Sequence, residues 1–218
     1  MDLGQLHDPT TIAVVEQISA QVHENIVAQL TRQGSYGLER LEAIETAKPR
    51  TQYNIRLLEQ APLGEPYPAQ AARLKRILAR QAIAEHDPHV WIDYTGVGRA
   101  VLDIFRELNV PHVVPVTITF AGEAGPNGRG GHSVPKIELV SKLQALMHSG
   151  VLHMPDTLPL VKVFRRELLD FRVSYTAIGN ATFGAREGAH DDTILAVALA
   201  VYGLEGRNRV AVGPLLLG

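Results

Sequence analysis

The chain has 218 residues, a formal net charge of -2 from 21 basic and 23 acidic side chains, and no cysteine. This balance gives no global basic field, so contact with nucleic acid must rest on a local patch, and the missing cysteines exclude disulfides and thiolate metal sites and fit a reducing compartment. No basic leader with an apolar stretch opens the chain, and no apolar run approaches the roughly 18 residues of a membrane span, so the expectation is one cytoplasmic domain without a membrane partner.

Met1 to Leu6 reads as the end of a strand, turned by His7-Asp8-Pro9 into a second strand from Thr10 to Glu16. Gln17 to Arg50 has helical patterning, with Ile18, Val22, Ile26 and Leu30 at four-residue steps, and is expected to be a helical insertion. Strand character returns at Tyr53 to Leu58. Pro66 and Pro68 then introduce a helix through Ile83, with Leu74, Ile77 and Leu78 inward and Arg73, Lys75, Arg76 and Arg80 on a solvated basic face.

His89 to Thr95 is a short apolar strand, closed by Gly96-Val97-Gly98 and followed by a helix from Arg99 to Leu108 and a strand from His112 to Ile118. Strand, turn, helix and strand make a βαβ unit, so part of the sheet is parallel, and Asp93 lies near a carboxyl strand end, where open α/β sheets place their sites. Pro115 suggests an edge or a bulge. Gly96 and Gly98 lack the third glycine of a dinucleotide fingerprint. Phe120 to Ser133 reads as a Gly-rich loop, Pro135-Lys136 starts a helix to about Ser149, Val151 to Met154 is a short strand, and Leu158 to Phe171 is a further helix. Val173 to Phe183 suggests a hairpin, and Val210 to Val212 an edge strand. The whole is a mixed α/β sheet flanked by helices.

The chain is organised around Gly188 to Tyr202, where Asp191 and Asp192 open a run of Ile194, Leu195, Val197, Leu199 and Val201 spaced by alanines. Such a run is a buried helix. Acids in its first turn can cap backbone N–H groups, which is the ordinary reading of either one. A second reading comes from Asp93 on its apolar strand and Asp2 at the chain start. Carboxylates on buried elements are costly unless paired, and a divalent cation is a common partner for several together. Which of Asp191 and Asp192 points inward stays open, since helix neighbours face about 100° apart. His190, Lys136 and Arg99 each have a substrate role and a bland alternative: a helix cap, a solvated lysine and an ordinary ion pair.

In this order, Asp2-Leu3-Gly4-Gln5 with Asp8-Pro9-Thr10, Trp91-Ile92-Asp93-Tyr94-Thr95-Gly96-Val97-Gly98, Val134-Pro135-Lys136 and Gly188-Ala189-His190-Asp191-Asp192 resemble the nuclease domain of phage large terminase subunits. The resemblance implies a single RNase H-like domain over residues 1–218, with an insertion at about 17–50. It implies an endonuclease that cuts concatemeric viral DNA during packaging, holding two Mg²⁺ or Mn²⁺ ions on Asp2, Asp93 and one or both of Asp191 and Asp192. Double-stranded DNA would be its substrate, and a separate ATPase domain, the small terminase subunit and the portal its partners, in the host cytoplasm. Two features depart from the family: no Gly-x-x-x-x-Gly-Lys-Ser/Thr phosphate loop is present, and Met1 alone precedes Asp2. The short first strand and the insertion keep a non-catalytic packaging or assembly module of the same fold in view, and the fold and late acidic helix that Holliday-junction resolvases share keep a resolvase-like nuclease in view.

Overall fold

Alternating β-branched and aliphatic residues make Thr11–Ile18 the strand β1, which pairs antiparallel with β2, Gln52–Gln60, from Thr11↔Gln60 to Ile18↔Gln52 with a bulge at Val14/Val15. The computed structural model describes residues 1–4, 9–20, 50–97, 99–128, 130–175, 181–185 and 191–207. Strand β1 therefore claims Gln17 and Ile18, which the four-residue spacing assigned to a helix; cross-strand pairing with Tyr53 and Gln52 overrides that periodicity. Of the expected insertion, 21–49 lies outside the described residues, as do the turn expected at Gly179-Asn180 and the strand expected at Val210 to Val212.

After β2 come α1 (Tyr67–Leu78) and α2 (Gln81–Ala84), separated because Arg80 is extended, with φ -63° and ψ 128°. The single helix expected to Ile83 is thus broken. Nor is Arg73 solvated: its guanidinium bridges Glu59 and Glu65 at 2.7 Å each. These contacts push its pKa further up.

The βαβ unit follows as β3 (Val90–Asp93), α3 (Arg99–Glu107) and β4 (Val113–Thr119), with β3 and β4 parallel. Next come β5 (Gly125–Pro126), β6 (His132–Pro135), α4 (Lys136–His148), β7 (Leu152–His153) and α5 (Val161–Asp170). Strands β8 (Phe171–Tyr175) and β9 (Ala181–Ala185) form the expected hairpin, and α6 is Asp192–Arg207. The segment read as a loop from Phe120 to Ser133 contains β5 and the start of β6, which pair antiparallel. Pro115 is in an inner strand, yet β6 pairs only with Val116–Thr119, so on that side no partner N–H is demanded of the proline.

Besides the two-stranded β8-β9 sheet, the described residues form the sheets β1-β2-β7 and β3-β4-β6-β5, and the first residues of the chain join these two. Asp2 exchanges both backbone hydrogen bonds with Thr11 at 2.9 Å, while Met1 N donates to Trp91 O at 2.7 Å and Met1 O accepts from Asp93 N at 2.9 Å. The central order is therefore β2, β1, the Met1–Leu3 strip, β3, β4, antiparallel on one side and parallel on the other.

Alternate residues divide between two cores. Trp91 and Val116 face α4, α5 and α6 with Leu139, Phe164, Ile194 and Val197. Met1, Val90 and Ile92 face α1 and α3 with Leu74, Ile77 and Phe105. Helix α6 lies so close to β3 that a Cβ on Gly203 would fall 2.3 Å from Trp91 Cδ1 and Nε1. Among the described residues no helix is long and apolar enough to cross a membrane.

Gly203→Ala gains helix propensity but forces Trp91 or α6 aside, so it is expected to lower the unfolding free energy by about 1–3 kcal/mol, the scale of overpacking. Equilibrium denaturation measures this directly.

Candidate metal centre

Side-chain alternation brings the acids together. Asp93 is two residues past Trp91 and so points to the α6 face of β3 at its carboxyl end, and Asp2, next to inward-facing Met1, points to the same face. Helix α6 begins at Asp192 over this edge, packed on β1 and β3. Asp2 and Asp192 are each only 8% exposed, which puts their carboxylates among the few buried charges of the chain.

Their electrostatics follow from that burial. Asp2 is pushed well above the ordinary carboxylate range, first by desolvation, then by the negative charges of Asp93 and Asp192, with Asp191 a smaller contributor. Desolvation also raises Asp93, while hydrogen bonds from Thr95 and the charge of Lys136 pull it back. One of the Thr95 bonds is backbone N–H to Asp93 Oδ1 at 2.8 Å.

The adjacent pair at the start of α6, Asp191 just before it and Asp192 its first residue, divides its work. Asp191 Oδ2 accepts from Lys136 Nζ at 2.7 Å, whereas Asp192 is the buried member and acts more strongly on Asp2. Lys136, the first residue of α4, is therefore an ion-pair partner at the acidic edge and not the solvated lysine of the bland reading. His190 lies outside the described residues.

Arg99 does not join this group. It begins α3 on the other face of the sheet and lines a cleft of about 800 Å³ with Tyr94, Arg106, Thr117 and Ser133, none of them a site acid. The carboxylate cluster itself lies between strand ends and the start of α6.

Glu167 on α5 escaped the sequence reading. The residue is 6% exposed, and its carboxylate accepts from Thr193 N at 3.0 Å, from the Thr193 hydroxyl and from Ile194 N at 3.3 Å. Sequence would have these first-turn N–H groups capped by a local acid; here a carboxylate 26 residues earlier caps them, and the Asp191 side chain is held by Lys136 instead. Burial raises the pKa of Glu167, against the pull of those hydrogen bonds. The only sequence sign was a glutamate on the inward stripe of α5, with Val161 and Phe164.

All-oxygen carboxylate donors, offset by Lys136 at Asp191 and by the buried Met1 amino group beside Asp2 and Asp93, fit a hard divalent cation such as Mg²⁺ or Mn²⁺. This fold, with its mixed sheet, helices on both faces and acids at the joined strand ends, is RNase H-like. Within that class the chain is similar to the nuclease domain of phage large terminases. It is 29% identical over 147 residues to the large terminase subunits of Thermus phage G20c and Thermus virus P23-45, a match over 66% of this chain and 26% of each relative. The chain thus spans about a quarter of the length of the curated relatives it matches. The crystal structure of the large terminase nuclease from thermophilic phage G20c superposes with a TM-score of 0.51 at 24% identity, covering 70% of this chain and 73% of that one. A second structure of that nuclease, with bound magnesium, gives a TM-score of 0.53 at 20% identity over 91% of this chain and 83% of that one. No family model matches the chain.

Because Asp2 holds its proton more tightly folded than unfolded, its ionisation costs stability, and the cost grows as pH rises from the ordinary carboxylate range through the folded value. In chelator, Asp2→Asn is therefore expected to gain stability relative to the unsubstituted chain as pH increases. Denaturation of the two proteins across pH checks the sign of that difference.

Proposed function

We propose that the chain is a metal-dependent DNA endonuclease of the large-terminase type, acting on double-stranded DNA. The observation that carries this is the convergence of Asp2, Asp93 and Asp192, from the strip joining the sheets, β3 and α6, on one buried edge. We take residues 1–218 as a single domain with an insertion between β1 and β2.

In this reading Asp2, Asp93 and Asp192 hold the ions, and Asp191 completes the set while tied to Lys136. When bound, two divalent ions would supply the chemistry of activating a water and stabilising the departing oxygen of a phosphodiester. The protein's share is orientation. Thr95 fixes Asp93, Glu167 fixes the first turn of α6, and Lys136 can release Asp191 to meet a phosphate. His190 is a further candidate for substrate contact, and Arg99 could touch the DNA backbone only away from the acids.

On the likeness to large terminase subunits, the proposal extends to cutting viral DNA for packaging in the cytoplasm of a host cell, with an ATPase domain, a small terminase subunit and a portal as proposed partners. The reading favours Mg²⁺ or Mn²⁺ as cofactor, on the hardness of the donor set.

Incubated with supercoiled plasmid and Mn²⁺ or Mg²⁺, the chain should nick and linearise it, and Asp93→Ala should reduce the rate by about 100-fold or more. Equal cleavage by the variant, or none by the parent chain with either metal, contradicts the assignment. A strong preference for four-way junctions over linear duplex would move the substrate to the resolvase alternative.

A further inference from the structure

We propose that Asp87, His89 and His112 form a second cation site, selective for a borderline divalent ion such as Zn²⁺, at the end of the sheet opposite the carboxylate cluster. Strands β3 and β4 start side by side, Val90 paired with Val113, and Val90 N donates to His112 O at 3.0 Å. The residues just before each strand, His89 and His112, are therefore neighbours across the ladder. Their rings stack with centroids 4.7 Å apart and 14° between planes. Asp87, in the turn after α2, bridges them: one carboxylate oxygen lies 3.4 Å from His89 Nε2 and the other 3.4 Å from His112 Nε2.

This geometry is close to what a four-coordinate ion needs. Ligands about 2.0–2.1 Å from a tetrahedral centre stand about 3.3–3.4 Å from one another, and both nitrogen–oxygen separations have that value already. One donor atom from each of the three residues can be chosen so that all lie within 4.8 Å of one another. The remaining adjustment is a turn of the imidazoles about χ2, a soft torsion, and all three side chains have room for it, being 28% to 62% exposed.

Two imidazoles and one carboxylate are a Zn²⁺, Co²⁺ or Ni²⁺ donor set, not one for Mg²⁺ or Ca²⁺, which prefer six or more oxygens. The fourth position opens to solvent, where water or a further donor can enter. His89 and Asp93 are four residues apart on an extended chain, so the two centres are separated by about 13 Å. A filled site would fasten the α2–β3 and α3–β4 connections together and brace, from behind, the strand that carries Asp93. The proposal does not depend on the chain being a nuclease.

The test is calorimetric titration of Zn²⁺ into the whole chain with millimolar Mg²⁺ present, so that the hard oxygen site is competed. His89→Gln and His112→Asn remove one ligand each; asparagine suits position 112 because His112 has φ +50°, a backbone region asparagine tolerates. Saturable Zn²⁺ binding weakened about 10-fold or more in both variants, yet kept in Asp93→Ala, is the expected result. Absence of saturable binding in the parent chain, or unchanged affinity in both histidine variants, overturns the proposal. If a variant fails to fold, imidazole NMR of the parent decides: His89 and His112 resonances that shift with Zn²⁺ support the site, and resonances that do not shift refute it.

Discussion

The structure depends on the backbone of two residues. Met1 and Asp2 lie between β1 and β3 and hydrogen-bond to both, which turns two separate sheets into one surface. Because that strip is antiparallel to one neighbour and parallel to the other, the sheet changes character where it is joined. Side-chain alternation then leaves Met1 in one core and sends Asp2 to the opposite face. Asp2 has little freedom of placement: a shift of one residue would exchange a core methionine for a carboxylate.

From that placement comes an electrostatic cost. Asp2, Asp93 and Asp192 share a poorly solvated edge where burial raises the proton affinity of Asp2 and Asp93 and the charges of Asp93 and Asp192 raise that of Asp2 further, an arrangement unfavourable for folding and favourable for capturing a cation. The surrounding structure holds the acids in place against this repulsion. Glu167 anchors the start of α6, Thr95 closes on Asp93, and Gly203 lets the helix rest directly on Trp91. Lys136 pairs with Asp191 and also eases the charge of Asp93. Stability is thus given up where metal binding would need it, and restored by contacts one step away.

Much of this was legible in the chain. The pairing of the first residues with Thr11, the βαβ unit, the position of Asp93 at a strand's carboxyl end and the buried late helix all follow from local pattern, and local pattern is what survived. What failed required knowledge of partners distant in sequence. Arg73 looked solvated because Glu59 and Glu65 lie on other elements, and Ile18 fitted a helical period until Gln52 claimed it for a strand. Glu167 was invisible because a helix cap borrowed from another helix leaves no motif at the capped end. The roles of Asp191 and Asp192 could not be separated by spacing; burial and the reach of Lys136 separate them. Arg99 seemed to belong with Asp93 by proximity in sequence, but the sheet lies between its cleft and the acids.

The most direct measurement is anomalous scattering from crystals of the chain grown or soaked with Mn²⁺. Mn²⁺ peaks in contact with the carboxylates of Asp2, Asp93 and Asp192 are expected, with the sheet joined at Met1–Leu3 as described. Bound Mn²⁺ found elsewhere while these three carboxylates stay unligated would contradict the assignment of this edge as the metal centre.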